Sequence, residues 1–336
     1  MALIGTTTLV PIEVLFAAGH QPVDMNNAFV SDPRGADFIA EAEKAGFPET
    51  SCAWLRGIYG TLKARPDIRT LIGATLGDCS DTHVLMEYVR RIGVQVIPFA
   101  YDRQRLAEEI EGLMQRFRVS WAEVNEWHER LQSIRRRVWA IDEATWQPRS
   151  GVSGWHNHLL QVSCSDMGGD IAKFEADVRQ FRPGPPINPQ GVRIGVLGVP
   201  SIFADQLYAF LERDCGAKVV FNETQRQFSL PYDCDLVEQY LRFTYPYGHE
   251  PRMADIKAEV ARRRIDGLIH YVQAFCFREL TDALIREDLR SSPEADVPVL
   301  TITGNRDRAL DAHLQTRLEA FVDMLDMHRN RPIQSP

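Results

Sequence analysis

Six cysteines and nine histidines are the residues of this 336-residue chain best suited to metal, redox or acid–base chemistry. Three of the cysteines share a setting. Cys52 follows the turn GFPETS and opens a segment that reads as a helix through Trp54–Leu62, with Thr50 or Ser51 as its expected cap. Cys79 closes TLIGATLGDC ahead of a helix beginning near Asp81, and Cys276 closes GLIHYVQAFC ahead of one beginning near Arg278. At a helix N-terminus the backbone amides and the dipole favour thiolate over thiol, and thiolate is the form that binds iron. A cysteine at a strand end is, as a rule, a small buried core residue, and that reading stands beside the ligand reading for each of the three taken alone. It is the reading adopted for Cys164, Cys215 and Cys234, which lack such placement.

The elements that must position these residues are clearest in the second half. After the loop RPGPPINPQ (182–190), the runs VRIGVLGVP, AKVVFNE, DGLIHYVQAFC and VPVLTITG read as strands. They alternate with helices through Ile202–Arg213, Met253–Arg264, Arg278–Leu289 and about 308–328. The first half repeats the pattern: a short helix over Pro11–Gly19, an edge strand QPVDM, a central strand TLIGATLGDC, a helix over His83–Ile92 and a strand VQVIPFAY. Strand–helix alternation predicts α/β architecture with two Rossmann-like, flavodoxin-like parallel-sheet lobes. The expected division is an N-terminal lobe at 1–102, a helical linker at 103–185 and a C-terminal lobe at 186–336.

Composition narrows the function classes. Apolar residues at 44% and charged residues at 25% are those of a folded globular protein. A net charge of −8 argues against general nucleic-acid binding, and the basic clusters Arg135–Arg137 and Arg262–Arg264 read as solvated helix faces. No apolar run approaches membrane-spanning length and the N-terminus has no signal-peptide pattern, so a cytoplasmic protein is expected. In that compartment six cysteines are not a disulfide framework, and with no CxxC any metal cluster must be assembled from distant cysteines. P-loop, GxSxG and HExxH motifs do not occur. GVLGVPS suits either a phosphate-cradling turn or a plain tight turn.

Five segments, in order, resemble 2-hydroxyacyl-CoA dehydratase and benzoyl-CoA reductase subunits: VPIEVLFAAGHQP, SCAWLRGIYGTL, LIGATLGDCSDTHVLMEYV, RRIDGLIHYVQAFCFREL and HLQTRLEAFVDML. The resemblance implies a [4Fe–4S] cluster on Cys52, Cys79 and Cys276, held between two lobes with one iron open, or a double-cubane [8Fe–9S] cluster shared by two subunits. It further implies a homodimer or a heterodimer with a homologous subunit, and an ATP-hydrolysing iron–sulfur activator that supplies a low-potential electron. The implied reaction is dehydration of an (R)-2-hydroxyacyl-CoA to an enoyl-CoA through a ketyl radical. Reduction of an aromatic CoA thioester, or of a small molecule at a double cubane, are alternatives within the family; a cluster-free scaffold subunit is the alternative outside it.

Thr8 stands where such subunits often carry Ser or Thr near substrate, and Glu13 of the P-x-E segment is the second candidate catalytic residue. Their structural alternatives are a cap hydroxyl for Thr8 and a dipole or capping role for Glu13. Gln315 and Arg317 in the last helix, and His20, His83 and His270, are further polar candidates with equally good structural roles. The sequence departs from the family pattern in lacking the usual extension before the P-x-E segment, in Gly304 where an acidic residue is common, and in FNETQRQFS where a C-T-G type segment is common.

Overall fold

The computed structural model describes residues 1–77, 79–304 and 309–329. The elements run β1 (Leu3–Thr6), α1 (Ile12–Ala17), β2 (Gln21–Asp24), α2 (Met25–Ser31), α3 (Gly35–Lys44), α4 (Ala53–Ala64), β3 (Ile68–Leu76), α5 (Thr82–Arg91), β4 (Gln95–Ala100), α6 (Leu106–Phe117), α7 (Trp121–Thr145), α8 (Gly154–Val162) and α9 (Ile171–Gln180). They continue through β5 (Arg193–Leu197), α10 (Ala204–Ala209), β6 (Lys218–Asn222), α11 (Glu223–Gln227), α12 (Leu236–Leu241), α13 (His249–Arg263), β7 (Gly267–Gln273), α14 (Thr281–Arg290), β8 (Val299–Gly304) and α15 (Ala312–Arg329). The chain forms two compact units: residues 1–139, 160–181 and 227–251, and residues 140–159, 182–226 and 252–336. The helical stretch that follows β4 is divided between them. The first nineteen residues of α7 belong to the first unit and its last six to the second.

Each unit is built on a four-stranded, all-parallel sheet, in the orders β2-β1-β3-β4 and β6-β5-β7-β8. This is the expected fold class. In each sheet the first strand of the series lies between the second and the third, so the crossovers leave the first strand in opposite directions. The central strand β1 was not expected from the sequence. At four residues, LIGT is too short to show a period, and it is assigned by its pairing with both β2 and β3. The expected starting residue of the last helix, 308, lies outside the described residues.

The first unit's core is formed where α4 and α5 pack, with Leu55, Ile58, Tyr59, Leu62, Leu71, Leu85 and Val89 in one buried cluster. Helix α4 approaches α3 so closely that a Cβ on Gly60 would lie 2.2 Å from the Phe38 carbonyl oxygen. In the second unit Val220, Phe221, Ile256, Leu268, Ile285 and Leu289 form the corresponding cluster. Its edge strand β8 is blocked rather than left open. The Leu268 amide bonds the Pro298 carbonyl and the Ala274 amide that of Gly304, so the alternate carbonyls of Val299 and Thr301 face outward. These accept hydrogen bonds at 2.8 Å from Arg286 and Arg317, respectively. Arg317 thus has an edge-capping role, and Gln315 bonds the Leu310 carbonyl in front of α15.

The two basic clusters are not solvated faces throughout. Arg135 and Arg263 are both fully buried, paired with Glu13 and with Asp142 and Glu259, while their neighbours Arg136, Arg137, Arg262 and Arg264 are exposed. A helix turns one residue of any three consecutive ones toward its packed side, so composition alone assigns such a triplet to the wrong face.

Candidate cluster and substrate site

In an open parallel sheet of this order, ligands collect at the carboxyl ends of the strands, in the crevice between the loops after the first and third strands. Cys79 lies in the loop from β3 to α5, and Cys276 in the turn from β7 to α14; these are the third-strand loops of their sheets. Thr8 lies in the first-strand loop of the first unit, and Gly198–Ser201 in that of the second.

Each of the three cysteines stands at a helix start. Cys52 is itself the N-cap of α4, and no side chain caps that helix; Ser51 bonds the Pro48 carbonyl instead, which corrects the expected Thr50 or Ser51 cap. The Cys79 carbonyl accepts the Thr82 amide at the opening of α5. Cys276 is the N-cap of a single 3-10 turn, Phe277–Leu280, that leads into α14. All three are half-buried. Cys52 and Cys79 pack against the same buried cluster of the first unit, whereas Cys276 belongs to the second unit. Among the described residues, neither unit by itself gathers three Cys, His, Asp or Glu side chains into a metal-holding group.

The remaining cysteines differ in chemistry. Burial pushes the Cys164 thiol up to about 12, with Asp166 adding to the effect and Arg135 opposing it. Burial, with Glu319 and Asp214 nearby, pushes the Cys215 thiol up to about 11. Burial also raises that of Cys234, against the opposing pull of Arg242. Burial thus disfavours thiolate, the iron-binding form, at all three. The donor set Cys52, Cys79 and Cys276 fits an iron–sulfur cluster in residue type, with Cys52 and Cys276 at N-caps and Cys79 in the turn that leads into α5.

The first-strand loop of the first unit is held almost residue by residue. The Thr7 amide bonds the Ile72 carbonyl, its hydroxyl accepts the Ala74 amide at 3.1 Å, and its carbonyl accepts the Asn26 side chain at 2.8 Å. The Tyr101 hydroxyl donates to the Leu9 carbonyl at 2.5 Å. The Tyr240 hydroxyl lies 2.8 Å from the Val10 carbonyl and 2.9 Å from Glu13 Oε2, and accepts the Ile12 amide at 3.3 Å. Within this frame Thr8 is buried. It is not a cap, because Pro11 occupies the N-cap of α1 without a side-chain bond.

Glu13 is fully buried, 2.7 Å from Arg135 Nη1, and accepts the Gln239 amide at 3.2 Å. Burial alone would raise its carboxyl; the Arg135 guanidinium, helped by His128, overrides this and brings it down to about 2. A carboxylate so enclosed and paired anchors the loop; it is not poised to exchange protons near neutral pH. No local sequence pattern marks this pairing, since Glu13 and Arg135 lie on α1 and α7.

The second unit anchors its first-strand loop differently. Gly198 has φ +89°, and a Cβ there would lie 2.2 Å from the Tyr271 carbonyl oxygen. Its amide donates to Glu223 Oε2 at 2.9 Å, and Glu223 is paired twice with the buried Arg252. This accounts for GVLGVPS as a tight turn, with its amide already engaged. Gly304 is likewise explained, because any side chain there would meet the Tyr271 hydroxyl at 1.9 Å.

The histidines are dispersed. His20 stacks edge-on to Phe117, His83 Nε2 lies 2.8 Å from the Thr75 carbonyl, and His270 on β7 bonds Asp282 through Nδ1 at 2.7 Å. A cavity of about 460 Å³ lined by Arg286, Arg290, Val297 and Phe321 lies at the start of β8, the opposite strand end from Cys276. No described helix is long and apolar enough to cross a membrane. Nothing among curated proteins matches the chain. The family model for the 2-hydroxyglutaryl-CoA dehydratase D-component matches residues 7–325, from just after β1 to within α15 and including all three cysteine junctions, and the chain belongs to that family.

Proposed function

We propose that this chain is the iron–sulfur subunit of a 2-hydroxyacyl-CoA dehydratase-type enzyme, with Cys52, Cys79 and Cys276 as ligands of a [4Fe–4S] cluster, or of one half of a double-cubane cluster. The observation that carries the reading is the equivalence of Cys79 and Cys276. They occupy the same third-strand loop of two sheets with the same strand order, where parallel sheets collect ligands. Cys52 joins them by type, half-burial and position at a helix start.

When bound, such a cluster supplies a low-potential electron and, at an iron without a fourth thiolate, a Lewis acid for a carbonyl or hydroxyl oxygen. The protein's own part is to place the substrate. The Thr8 hydroxyl, held by a loop whose neighbouring groups are otherwise occupied, is suited to bond a thioester or hydroxyl oxygen. Glu13 acts through that loop as a positioning residue.

No P-loop is present in the sequence, so the energy for a low-potential electron enters through an ATP-hydrolysing activator that docks transiently on an assembly of two such subunits. The substrate read here is an (R)-2-hydroxyacyl-CoA and the product an enoyl-CoA. With 2-hydroxyglutaryl-CoA as the probe and the activator present, turnover is expected to require ATP. It should fall at least about tenfold in Thr8→Val, the scale of one lost oriented hydrogen bond. Full turnover without ATP from a mild electron donor would rule the mechanism out, and an iron-free protein after anaerobic purification would favour a scaffold subunit.

A further inference from the structure

We infer that His270 is the proton-transferring group of this reaction, held in one tautomer by Asp282 and turned toward the loop that lines the second unit's crevice. The inference rests on the dehydratase reading above. His270 lies on β7, upstream of Cys276, and its Nδ1 is 2.7 Å from Asp282 Oδ1. The same carboxylate accepts the Thr301 hydroxyl at 2.5 Å and Arg286 Nε at 2.8 Å. Burial works against the charge, yet the bonds from His270, Arg286 and Thr301 keep the Asp282 carboxyl well below the usual carboxylate range. An ionised carboxylate only accepts, so Nδ1 carries the proton and the lone pair of the neutral ring stands on Nε2.

The other edge of the ring is placed by Gly198. A Cβ on that glycine would lie 3.3 Å from His270 Cδ2, the carbon bonded to Nε2. Gly198 is the first residue beyond β5, the strand beside β7, so this edge borders the first-strand loop. In the same loop the Ser201 hydroxyl is buried and has no hydrogen-bond partner among the described residues, an arrangement that costs free energy unless a ligand or water completes it. The other charged groups near His270 are mutually neutralised: Glu223 by Arg252, and Asp282 by Arg286.

The proton balance of dehydration suits one such group. Hydroxide leaves C2 of the acyl chain, and a proton leaves C3. Nε2 takes the C3 proton, and the resulting imidazolium gives it to the hydroxide as water, which returns the ring to its neutral form with no net oxidant or reductant. A purely structural role, pinning α14 to β7, would use the same His270–Asp282 bond but would give no pH signature.

The test uses full-length protein loaded with its cluster, the activator and ATP, and 2-hydroxyglutaryl-CoA as the probe. His270→Gln should keep iron and acid-labile sulfide at the wild-type level. Its turnover should fall about a hundredfold or more, the usual contribution of a positioned acid–base group, and the acid limb of the pH profile should vanish. Asp282→Asn removes the charge that stabilises imidazolium, so its acid limb should move to lower pH; this variant carries the test if His270→Gln does not fold. In the wild-type protein without substrate, the ¹⁵N spectrum of His270 should show the Nδ1–H tautomer. Turnover within about threefold of wild type with an unchanged profile would overturn the inference. So would loss of iron in step with activity, which would make His270 a support for the Cys276 turn. A wild-type protein with neither iron nor turnover would instead overturn the dehydratase reading itself.

Discussion

The two units use the same strand order and the same kind of buried ion pair, yet fix their first-strand loops from opposite ends of the peptide. In the first unit Glu13 and Arg135 form the pair, and the Tyr240 hydroxyl relays it to a loop carbonyl, that of Val10. In the second, Glu223 of the Glu223–Arg252 pair takes a loop amide directly, that of Gly198. The first arrangement holds the loop by the Leu9 and Val10 carbonyls, beside the buried Thr8. The second pulls the chain tight against β7 beside His270. On the function proposed above, one unit holds an oxygen and the other moves a proton, although their sheets are alike.

The largest expected effect follows from breaking either pair. Arg135→Met leaves Glu13 as an unpaired buried charge, and Arg252→Met does the same to Glu223; each should cost about 3–5 kcal/mol in denaturant unfolding. The double substitution Glu13→Gln, Arg135→Met should recover much of the loss, because no charge is then stranded. If Arg135→Met unfolds like wild type, the loop is not held in the way described.

A smaller effect separates the units by pH. Asp166 of the first unit is buried facing Asp24, whose amide it bonds at 3.0 Å; burial and the Asp24 charge raise its carboxyl from 3.8 to about 7. Glu212 of the second is raised from 4.5 to about 7 by burial, although the Gly154 and Val219 amides oppose the shift. A carboxyl raised on folding contributes stability that is complete below its unfolded value and is lost as pH rises through the folded value. Asp166→Asn and Glu212→Gln should therefore gain melting temperature relative to wild type between pH 5 and pH 8. A gain that shrinks over that range would contradict the assignment. Glu13, depressed to about 2, behaves in the opposite sense: its contribution is present above about 4.5 and is lost as pH falls through about 2.

How much of this was legible beforehand depends on range along the chain. The parallel α/β architecture and the cysteine junctions were readable because each is a local event, an apolar run followed by a helix start. The strand β1 was too short to read. The loop anchors were not readable at all: Arg135 and Tyr240 meet Glu13 across more than a hundred residues, and no local pattern marks which arginine of a basic triplet turns inward. The discontinuous units have the same origin, since a helix as long as α7 has no sequence signal where it passes from one core to another. Gly304 and the GVLGVPS turn, which looked like departures or motifs, are explained by close backbone and side-chain approach.

The most direct measurement of the central claim is iron and acid-labile sulfide in protein purified without oxygen, compared between wild type, Cys276→Ser and Cys215→Ser. The account predicts about four iron atoms per chain in wild type and in Cys215→Ser, and a severe loss in Cys276→Ser. Equal iron in the two variants, or none in wild type, would contradict it.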